Sequence, residues 1–279
     1  MSIALHGTAG NAAVPSPEVW KDFPAQDAVT SPGDYVHIWE DFTSQFTAND
    51  VQNVGNGQWV VIGTNPDTAH VTDEANGVVN ISGSGAGDDE AYLCSGMLCN
   101  EVIKKDSGLR LWFETRLKMD DTSADVIFIC GLGEDALMTA DAVPNDGATR
   151  NNITDYDFIG FHTDNDATNQ GDMETCYHQD GDGGALTAVQ ATVRAFGTST
   201  TYDDTYMKLG LRFDGKSTVT FYLDGAALGT TLDVDDLTGN KLDDALGIFI
   251  GIKDLAGGAD DLKIDWIRYA HEKLPSGVV

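Results

Sequence analysis

The feature of this sequence that most constrains its fold is a pair of alternating runs in its last third. Residues 208–214 read KLGLRFD and residues 218–224 read TVTFYLD, so that every second residue is apolar. A period of two is typical of strands with one buried face. The DGKS stretch at the junction of the runs supplies a turn. The sequence therefore predicts a β-hairpin at 208–224, and its inward side chains are Leu209, Leu211, Phe213, Val219, Phe221 and Leu223.

The same strand–turn–strand pattern covers most of the chain. Residues 109–119 (LRLWFETRLKM) alternate, and residues 125–131 (DVIFICG) form a continuous apolar run that suits a strand buried on both sides. Further strands are predicted at residues 37–42, 58–63, 77–82, 157–161, 246–252 and 261–269. The polar tract at 162–184 predicts a long loop. With no long helical stripe and with 31 glycines among 279 residues, the chain is predicted to be all-β.

Residues 1–34 differ in composition from the rest of the chain. They contain Pro15, Pro17, Pro24 and Pro32, a density that opposes regular helices and strands. We expect an extended N-terminal arm at 1–34 that contacts another copy of the chain or another protein. A single β-sandwich at 35–271 and a C-terminal tail at 272–279 complete the predicted organisation.

Charge excludes several partners. The chain has 45 acidic and 16 basic residues, for a formal net charge of -29. Binding to nucleic acid or to an anionic membrane needs clustered Lys and Arg, so we expect neither. Two interpretations of the acidity stay open: adaptation to salty surroundings, and a specific role such as cation binding.

Targeting and cysteine signals are weak. Residues 1–7 have no basic region and only a short apolar run, so we expect no signal peptide, and no stretch reaches the roughly 20 apolar residues of a membrane span. The four cysteines have no zinc-site spacing. We expect them to be reduced, although the sequence also permits a disulfide between Cys94 and Cys99.

Four segments together resemble the concanavalin A-like lectin/glucanase superfamily, which includes laminin-G-like domains. They are WEDF at 39–42, the paired strands within 111–132, the hairpin at 209–225 and IDWIRY at 264–269. They occur in the order that the superfamily has. The resemblance implies an all-β, two-sheet antiparallel jelly-roll sandwich.

The catalytic motifs of that superfamily are missing. Its hydrolases carry E-x-D-x-x-E on one strand, where the alternation puts all three carboxylates on one face. Here Glu114 is followed two residues later by Arg116, Glu134 has no third partner, and the acids Asp155 and Asp157 have no following acid at the right step. The R-x-E-x-R and Gln-x-His strands of the lyases are also missing. We therefore predict that the chain is not an enzyme.

Two binding sites are predicted, and the resemblance implies the first of them. A structural Ca²⁺ would be held by Asp265, with Glu40 or Asp41 nearby, although Asp265 could instead only end a strand edge. Trp112 and Tyr222 alternate with inward residues and could stack on a glycan. They could equally cover a second packing surface, such as that of a neighbouring subunit.

The similarity extends loosely to laminin-G-like proteins among phage structural genes. It implies a non-enzymatic virion structural protein, a capsid decoration or head surface protein that is made in the host cytoplasm and ends on the virion surface. Its partners would be other virion proteins or further copies, bound through residues 1–34. A carbohydrate-binding lectin-like module is the alternative, and a polysaccharide hydrolase or lyase with a divergent site is a third.

Overall fold

The structure is a computed structural model that describes most of the sandwich. The described residues are 14–31, 33–43, 59–63, 67–70, 77–83, 89–96, 98–100, 102–120, 126–134, 156–164, 172–180, 186–194, 196, 204–242, 244–254 and 260–273. The predicted C-terminal tail and the first 13 residues of the predicted arm lie almost wholly outside them.

These residues form two short helices and two eight-stranded sheets. The helices are α1 (Pro17–Trp20) and α2 (Ala25–Thr30). The strands are β1 (Tyr35–Glu40), β2 (Trp59–Ile62), β3 (Asp67–His70), β4 (Val79–Ser82), β5 (Glu90–Ser95), β6 (Cys99–Asn100), β7 (Leu111–Met119), β8 (Val126–Glu134), β9 (Phe158–Asp164), β10 (Asp172–His178), β11 (Thr187–Arg194), β12 (Met207–Phe213), β13 (Thr218–Leu223), β14 (Ala226–Asp233), β15 (Ala245–Asp254) and β16 (Asp261–Glu272). Neither described helix is long or apolar enough to cross a membrane.

The two sheets pack face to face as an antiparallel sandwich, which confirms the predicted fold class. Sheet A has the order β14-β13-β12-β7-β16-β4-β3, with β1 also paired to β16. Sheet B has the order β11-β10-β9-β8-β15-β5-β2, with β6 also paired to β15. Each sheet therefore has an inner face toward the other sheet and an outer face.

The hairpin of β12 and β13 forms at the predicted residues, with the predicted side chains on its inner face. Leu211 pairs with Phe221, and both side chains point into the core between the sheets. Asp214 closes the turn, because its carboxylate accepts hydrogen bonds from the backbone N–H groups of residues 216, 217 and 218. Gly215 has a φ of 78°, a conformation that favours glycine. Phe221 meets Phe161 of sheet B edge to face, with ring centroids 5.8 Å apart.

The predicted loop at 162–184 is partly wrong, because β10 lies inside it. Met173 points into the core between the sheets, whereas Glu174 and Cys176 point to the outer face of sheet B. These polar positions are nevertheless buried. The polar sequence at 162–184 predicted a solvent-exposed loop. Strand β10 was missed because its outer face is buried despite its polar residues.

Residues 17–20 and 25–30 are helical, where the proline content had predicted no regular structure. Pro17 stands in the first turn of α1, where its missing N–H leaves no hydrogen bond unmade. Pro24 caps the start of α2, and its carbonyl accepts a hydrogen bond from the N–H of Ala28. Proline therefore starts both helices rather than preventing them.

All four cysteines are free, buried thiols. Cys94 belongs to the apolar cluster on the outer face of sheet B, whereas Cys99 lies in the main core between the sheets. The sheet therefore separates the two residues that the sequence allowed to form a disulfide. Burial raises the pKa of Cys99 to about 11, so its thiol stays protonated at neutral pH.

The core contact of Phe221 gives a stability prediction. Replacing the fully buried Phe221 by Ala should lower the free energy of unfolding by about 3–5 kcal/mol, because it leaves a cavity between the sheets. Denaturant unfolding measures the change. Thr220→Ala, at the neighbouring outward position, is the control and should cost less than about 1 kcal/mol. A similarly small loss for Phe221→Ala would mean that the inward face is misassigned.

Candidate functional site

Glu114 is the centre of the outer face of sheet A. It lies in the middle of β7 and is fully buried, and its Oε2 accepts hydrogen bonds from the backbone N–H of Ser16 at 2.9 Å and from Nε1 of Trp20 at 2.8 Å. Burial raises the pKa of Glu114, while these hydrogen bonds and Lys208 act in the opposite direction. Glu114 thus fastens residues 14–31, here called the N-terminal segment, to the sheet.

Further contacts hold the N-terminal segment along its length. Lys208 donates a hydrogen bond from Nζ to the carbonyl of Val14 at 3.2 Å. Asp22 pairs with Arg212 at 2.9 Å through its carboxylate, and its carbonyl accepts a hydrogen bond from Arg110. Several of the basic side chains of sheet A are therefore used to bind this segment.

The N-terminal segment covers both residues that the sequence predicted for glycan stacking. Trp112 is 0% exposed and Tyr222 is 3% exposed, in one cluster with Val19, Trp20 and Phe23. Phe23 contacts the Trp112 ring edge to face, with centroids 5.3 Å apart. Neither ring is open to a sugar in this structure. Trp112 and Tyr222 instead belong to a second packing surface, which was the other interpretation of these residues. The residues that cover them come from the same chain.

The three residues proposed for calcium each have a protein partner. Asp265, at a bulge in β16, forms an ion pair with Arg116. Glu40 accepts hydrogen bonds from the N–H of Phe42 at 2.8 Å and from Nε1 of Trp59 at 3.3 Å. Asp41 accepts one from the Thr43 hydroxyl at 2.9 Å.

The carboxylates of Asp265, Glu40 and Asp41 do not fit a shared calcium site. A guanidinium already neutralises Asp265, and a cation there would have to displace it. Among the described residues, no group of three or more His, Cys, Asp or Glu side chains is arranged to hold a metal ion.

The outer face of sheet B is filled by apolar side chains. Its fully buried cluster consists of Tyr92, Cys94, Ile127, Ile129, Phe158, Cys176 and Phe249. Tyr92 and Phe249 stack with ring centroids 4.9 Å apart. A side chain on Gly251 would lie 2.0 Å from the Tyr92 ring, so glycine is required where that ring crosses the sheet. The continuous apolar run at 125–131 predicted a strand buried on both sides, and β8 confirms it, because its residues alternate between this cluster and the main core.

A buried ion pair lies beside this apolar cluster. Lys253 and Glu90 face each other across β15 and β5, with Nζ and Oε2 3.3 Å apart and both side chains almost fully buried. The hydroxyl of Tyr92 donates a hydrogen bond to the same Glu90 oxygen at 2.9 Å. The carboxylate is therefore committed to protein partners.

His162 is the least satisfied polar group on the outer face of sheet B. It is fully buried on β9, where its register neighbours are Ile129 and Glu174, and neither ring nitrogen has a hydrogen-bond partner. Burial lowers the pKa of His162 to about 3, so the ring is neutral at physiological pH.

A set of carboxylates at one end of sheet B is the most enzyme-like feature. Burial raises the pKa of Glu134 to about 7, and Asp244, Asp157 and Asp180 add to the effect. Asp157, however, accepts hydrogen bonds from the N–H groups of Asp180 at 3.0 Å and Asp244 at 3.2 Å. Because both of its carboxylate oxygens accept hydrogen bonds from backbone N–H groups, Asp157 connects the ends of strands and does not face a substrate.

Comparison with known proteins places the chain in a fold rather than a family. No family model and no curated protein matches the sequence. A protein of unknown function, SO2946 from Shewanella oneidensis MR-1, has a TM-score of 0.54 at 13% identity, covering 88% of this chain and 90% of its own. Peanut lectin has a TM-score of 0.53 at 12% identity, with 87% and 100% covered.

A glycoside hydrolase has a similar score. The GH16 enzyme of the Bacteroides ovatus mixed linkage glucan PUL has a TM-score of 0.53 at 14% identity, covering 83% of this chain and 99% of its own. The chain therefore has the concanavalin A-like lectin/glucanase fold, a fold of carbohydrate-binding proteins. Because lectins and hydrolases share it, the fold alone does not decide between binding and catalysis.

The buried histidine predicts an acid-sensitive stability. An unfolded histidine has a pKa of about 6.5, so between pH 6.5 and 3 the unfolded chain binds a proton that folded His162 does not. The wild type should therefore lose about 1.4 kcal/mol per pH unit, relative to His162→Leu, as the pH falls below about 6.5. Unfolding in urea between pH 7 and 4.5 measures this difference.

His37→Leu is the control for this experiment. His37 is exposed on β1, and the pKa of His37 is lowered by its partial burial and by Arg268 without a large shift. Its replacement should change the pH dependence less. Parallel pH curves for the wild type and His162→Leu would contradict the placement of a neutral ring at this position.

Proposed function

We propose that this chain is a non-enzymatic structural protein of a virus particle, a capsid decoration or head surface protein. The observation that carries the non-enzymatic part is the filled outer face of sheet B. A glycosidase needs two carboxylates on either side of an open site, roughly 5–10 Å apart. Glu90, on this face, is instead buried and bound to Lys253 and Tyr92.

The outer face of sheet A supports the same conclusion. Its central carboxylate, Glu114, is covered by the N-terminal segment and holds Ser16 and Trp20. Both outer faces therefore use their buried carboxylates to hold the sandwich together. A body packed in this way suits a rigid surface module.

Charge and cysteine chemistry support a place on a particle. A net charge of -29 keeps copies of the chain apart, which favours separate attachment points on a shell over free self-association. Four buried free thiols suit folding in a reducing host cytoplasm before assembly. Attachment through residues 1–34 would use the outward side of the N-terminal segment, where Val29 is 78% exposed.

Lectin-like carbohydrate binding is the second candidate function. The fold that the chain shares with peanut lectin and with the Bacteroides ovatus GH16 enzyme favours it. It does not require a catalytic pair of carboxylates. It is also compatible with a place on a particle surface.

The particle role predicts co-purification. Intact particles, purified by density gradient and quantified by mass spectrometry, should contain the chain in a fixed ratio to the major shell protein. The ratio should correspond to one or a few copies per capsomer. Recovery of the chain only as a free soluble monomer, with none in the particle fraction, would contradict the proposal.

The non-enzymatic role predicts no cleavage. Purified protein incubated with mixed-linkage glucan and laminarin should release no reducing ends above a heat-inactivated sample, because no described carboxylate pair faces an open site. An active GH16 glucanase is the positive control. Release of sugar that is lost in a Glu134→Gln variant would show that the carboxylates at the end of sheet B are catalytic.

A further inference from the structure

The ion pair of Lys253 and Glu90 is closed to water. The two residues are cross-strand partners on β15 and β5, with Nζ 3.3 Å from Oε2, and their side chains are 2% and 0% exposed. The other cross-strand neighbour of Lys253 is Ile127, and Tyr92 follows Glu90 two residues later on the same face. Ile127 and Tyr92 both belong to the apolar cluster on the outer face of sheet B. An amine and a carboxylate are therefore held together beside apolar side chains.

Other lysine–carboxylate pairs of this chain are open to solvent. Lys105 and Asp235 are closer, at 2.7 Å between Nζ and Oδ1, but their side chains are 41% and 45% exposed. Asp204, which pairs with Lys118 and Lys263, is 63% exposed. Water hydrates both charges of such exposed pairs. Burial of two charges instead carries a large desolvation penalty, which a neutral product would remove.

The hydroxyl of Tyr92 is fixed at the same carboxylate. Its Oη donates a hydrogen bond to Oε2 of Glu90 at 2.9 Å. The Tyr92 ring is held by stacking on Phe249 and by Gly251, which leaves the space that the ring occupies. A donor that is already in place at a carboxyl oxygen stabilises the negative charge that develops there when a nucleophile adds to the carboxyl carbon.

We propose that Lys253 and Glu90 condense within the folded chain to an amide that links β15 to β5. A proton moves from the ammonium of Lys253 to the carboxylate, which gives the neutral amine and acid that burial favours over the two charges. Nζ, now a nucleophile, adds to Cδ of Glu90, while Tyr92 donates its hydrogen bond to Oε2, where negative charge develops. The bond between Cδ and Oε1 breaks, and Oε1 leaves as water with the transferred proton and one proton of the amine. The reaction needs no other reactant.

The sheet supplies the proximity that this condensation needs. Because β15 and β5 are hydrogen-bonded neighbours in sheet B, the amine and the carboxyl group stay in contact for the lifetime of the folded state. The amide joins residues that are far apart in sequence, so it also restricts the unfolded chain. Such a link would resist separation of the two strands, which suits a surface module of a particle. The inference goes beyond the proposed function and does not depend on it.

Mass spectrometry of the full wild-type chain tests the link. After incubation of the folded protein for several days at neutral pH, its mass should be lower than that of the sequence by one water molecule. Cyclisation of an aspartate that precedes a glycine also releases water, so tandem mass spectrometry of a digest has to locate the change. We expect a branched peptide that joins residues 90 and 253, whereas Lys105 and Asp235 stay unlinked in the same digest. Unmodified Lys253 and Glu90 after the incubation would overturn the proposal.

A Lys253→Arg variant tests the nucleophile. Arginine keeps a positive charge beside Glu90 but has no amine that can form the link, so Glu90 should stay unmodified in this variant. Loss of water at Glu90 in Lys253→Arg would overturn the assignment of Lys253. Thermal unfolding checks that the variant keeps the sandwich, and the wild-type digest decides the proposal even where the variant does not fold.

A Tyr92→Phe variant tests the hydrogen bond to the carboxylate. It keeps the ring and removes the hydroxyl, so the linked peptide should appear about a hundredfold more slowly after refolding, because one donor to the developing charge is lost. Tyr156→Phe removes a hydroxyl from another tyrosine beside the same apolar cluster and should leave the rate unchanged. Equal rates in Tyr92→Phe and the wild type would overturn the role of Tyr92.

Discussion

Both sheets carry apolar residues on their two faces, so each sheet has to be shielded from water on both sides. This requirement shapes the whole molecule. The inner faces cover each other, as the contact between Phe161 and Phe221 shows. Within the described part of the chain, no further sheet lies on the outer faces. Sheet A is covered by the N-terminal segment, whereas rings such as Tyr92 lie across glycine positions of sheet B. The outer face of sheet A is therefore covered from outside its strands, whereas the outer face of sheet B is filled by side chains of its own strands.

Buried charges accompany both coverings, and their positions favour specificity over stability. Burying an ion pair often costs as much as the pair gains, so Lys253 and Glu90 are weak evidence for a stabilising role. They are, however, direct register partners in β15 and β5. A slip by one residue would turn Lys253 into the core between the sheets. In the same way, Glu114 accepts hydrogen bonds only when Ser16 and Trp20 lie at one place on sheet A. The hydrogen bonds and ion pairs of these groups can form in only one arrangement of the chain, whereas apolar contacts alone would allow several.

Local patterns predicted ten of the sixteen described strands, missed β3, β5, β6, β10, β11 and β14, and predicted the surroundings of the strands poorly. The alternation of residues 208–224 was sufficient to predict that Leu211 and Phe221 face inward, where the structure pairs them. It also placed Trp112 on an outer face, but it could not show that Phe23, far away in sequence, covers that ring. Helix α1 has only four residues, too few for a helical period to be recognised. Arg116 was not foreseen as the partner of Asp265, because the bulge in β16 shifts the register there.

The same reasoning explains why the aromatic residues that were predicted to bind a glycan are not exposed. The predicted aromatic residues lie on strands β7 and β13. The N-terminal segment packs against both of them and buries them. The N-terminal segment leaves the edge strand β1 partly open, and there Trp39 stays exposed because Trp266 supports it from below. A sandwich whose central faces are closed by packing presents a free aromatic ring only where an edge strand carries a side chain that the packing does not use.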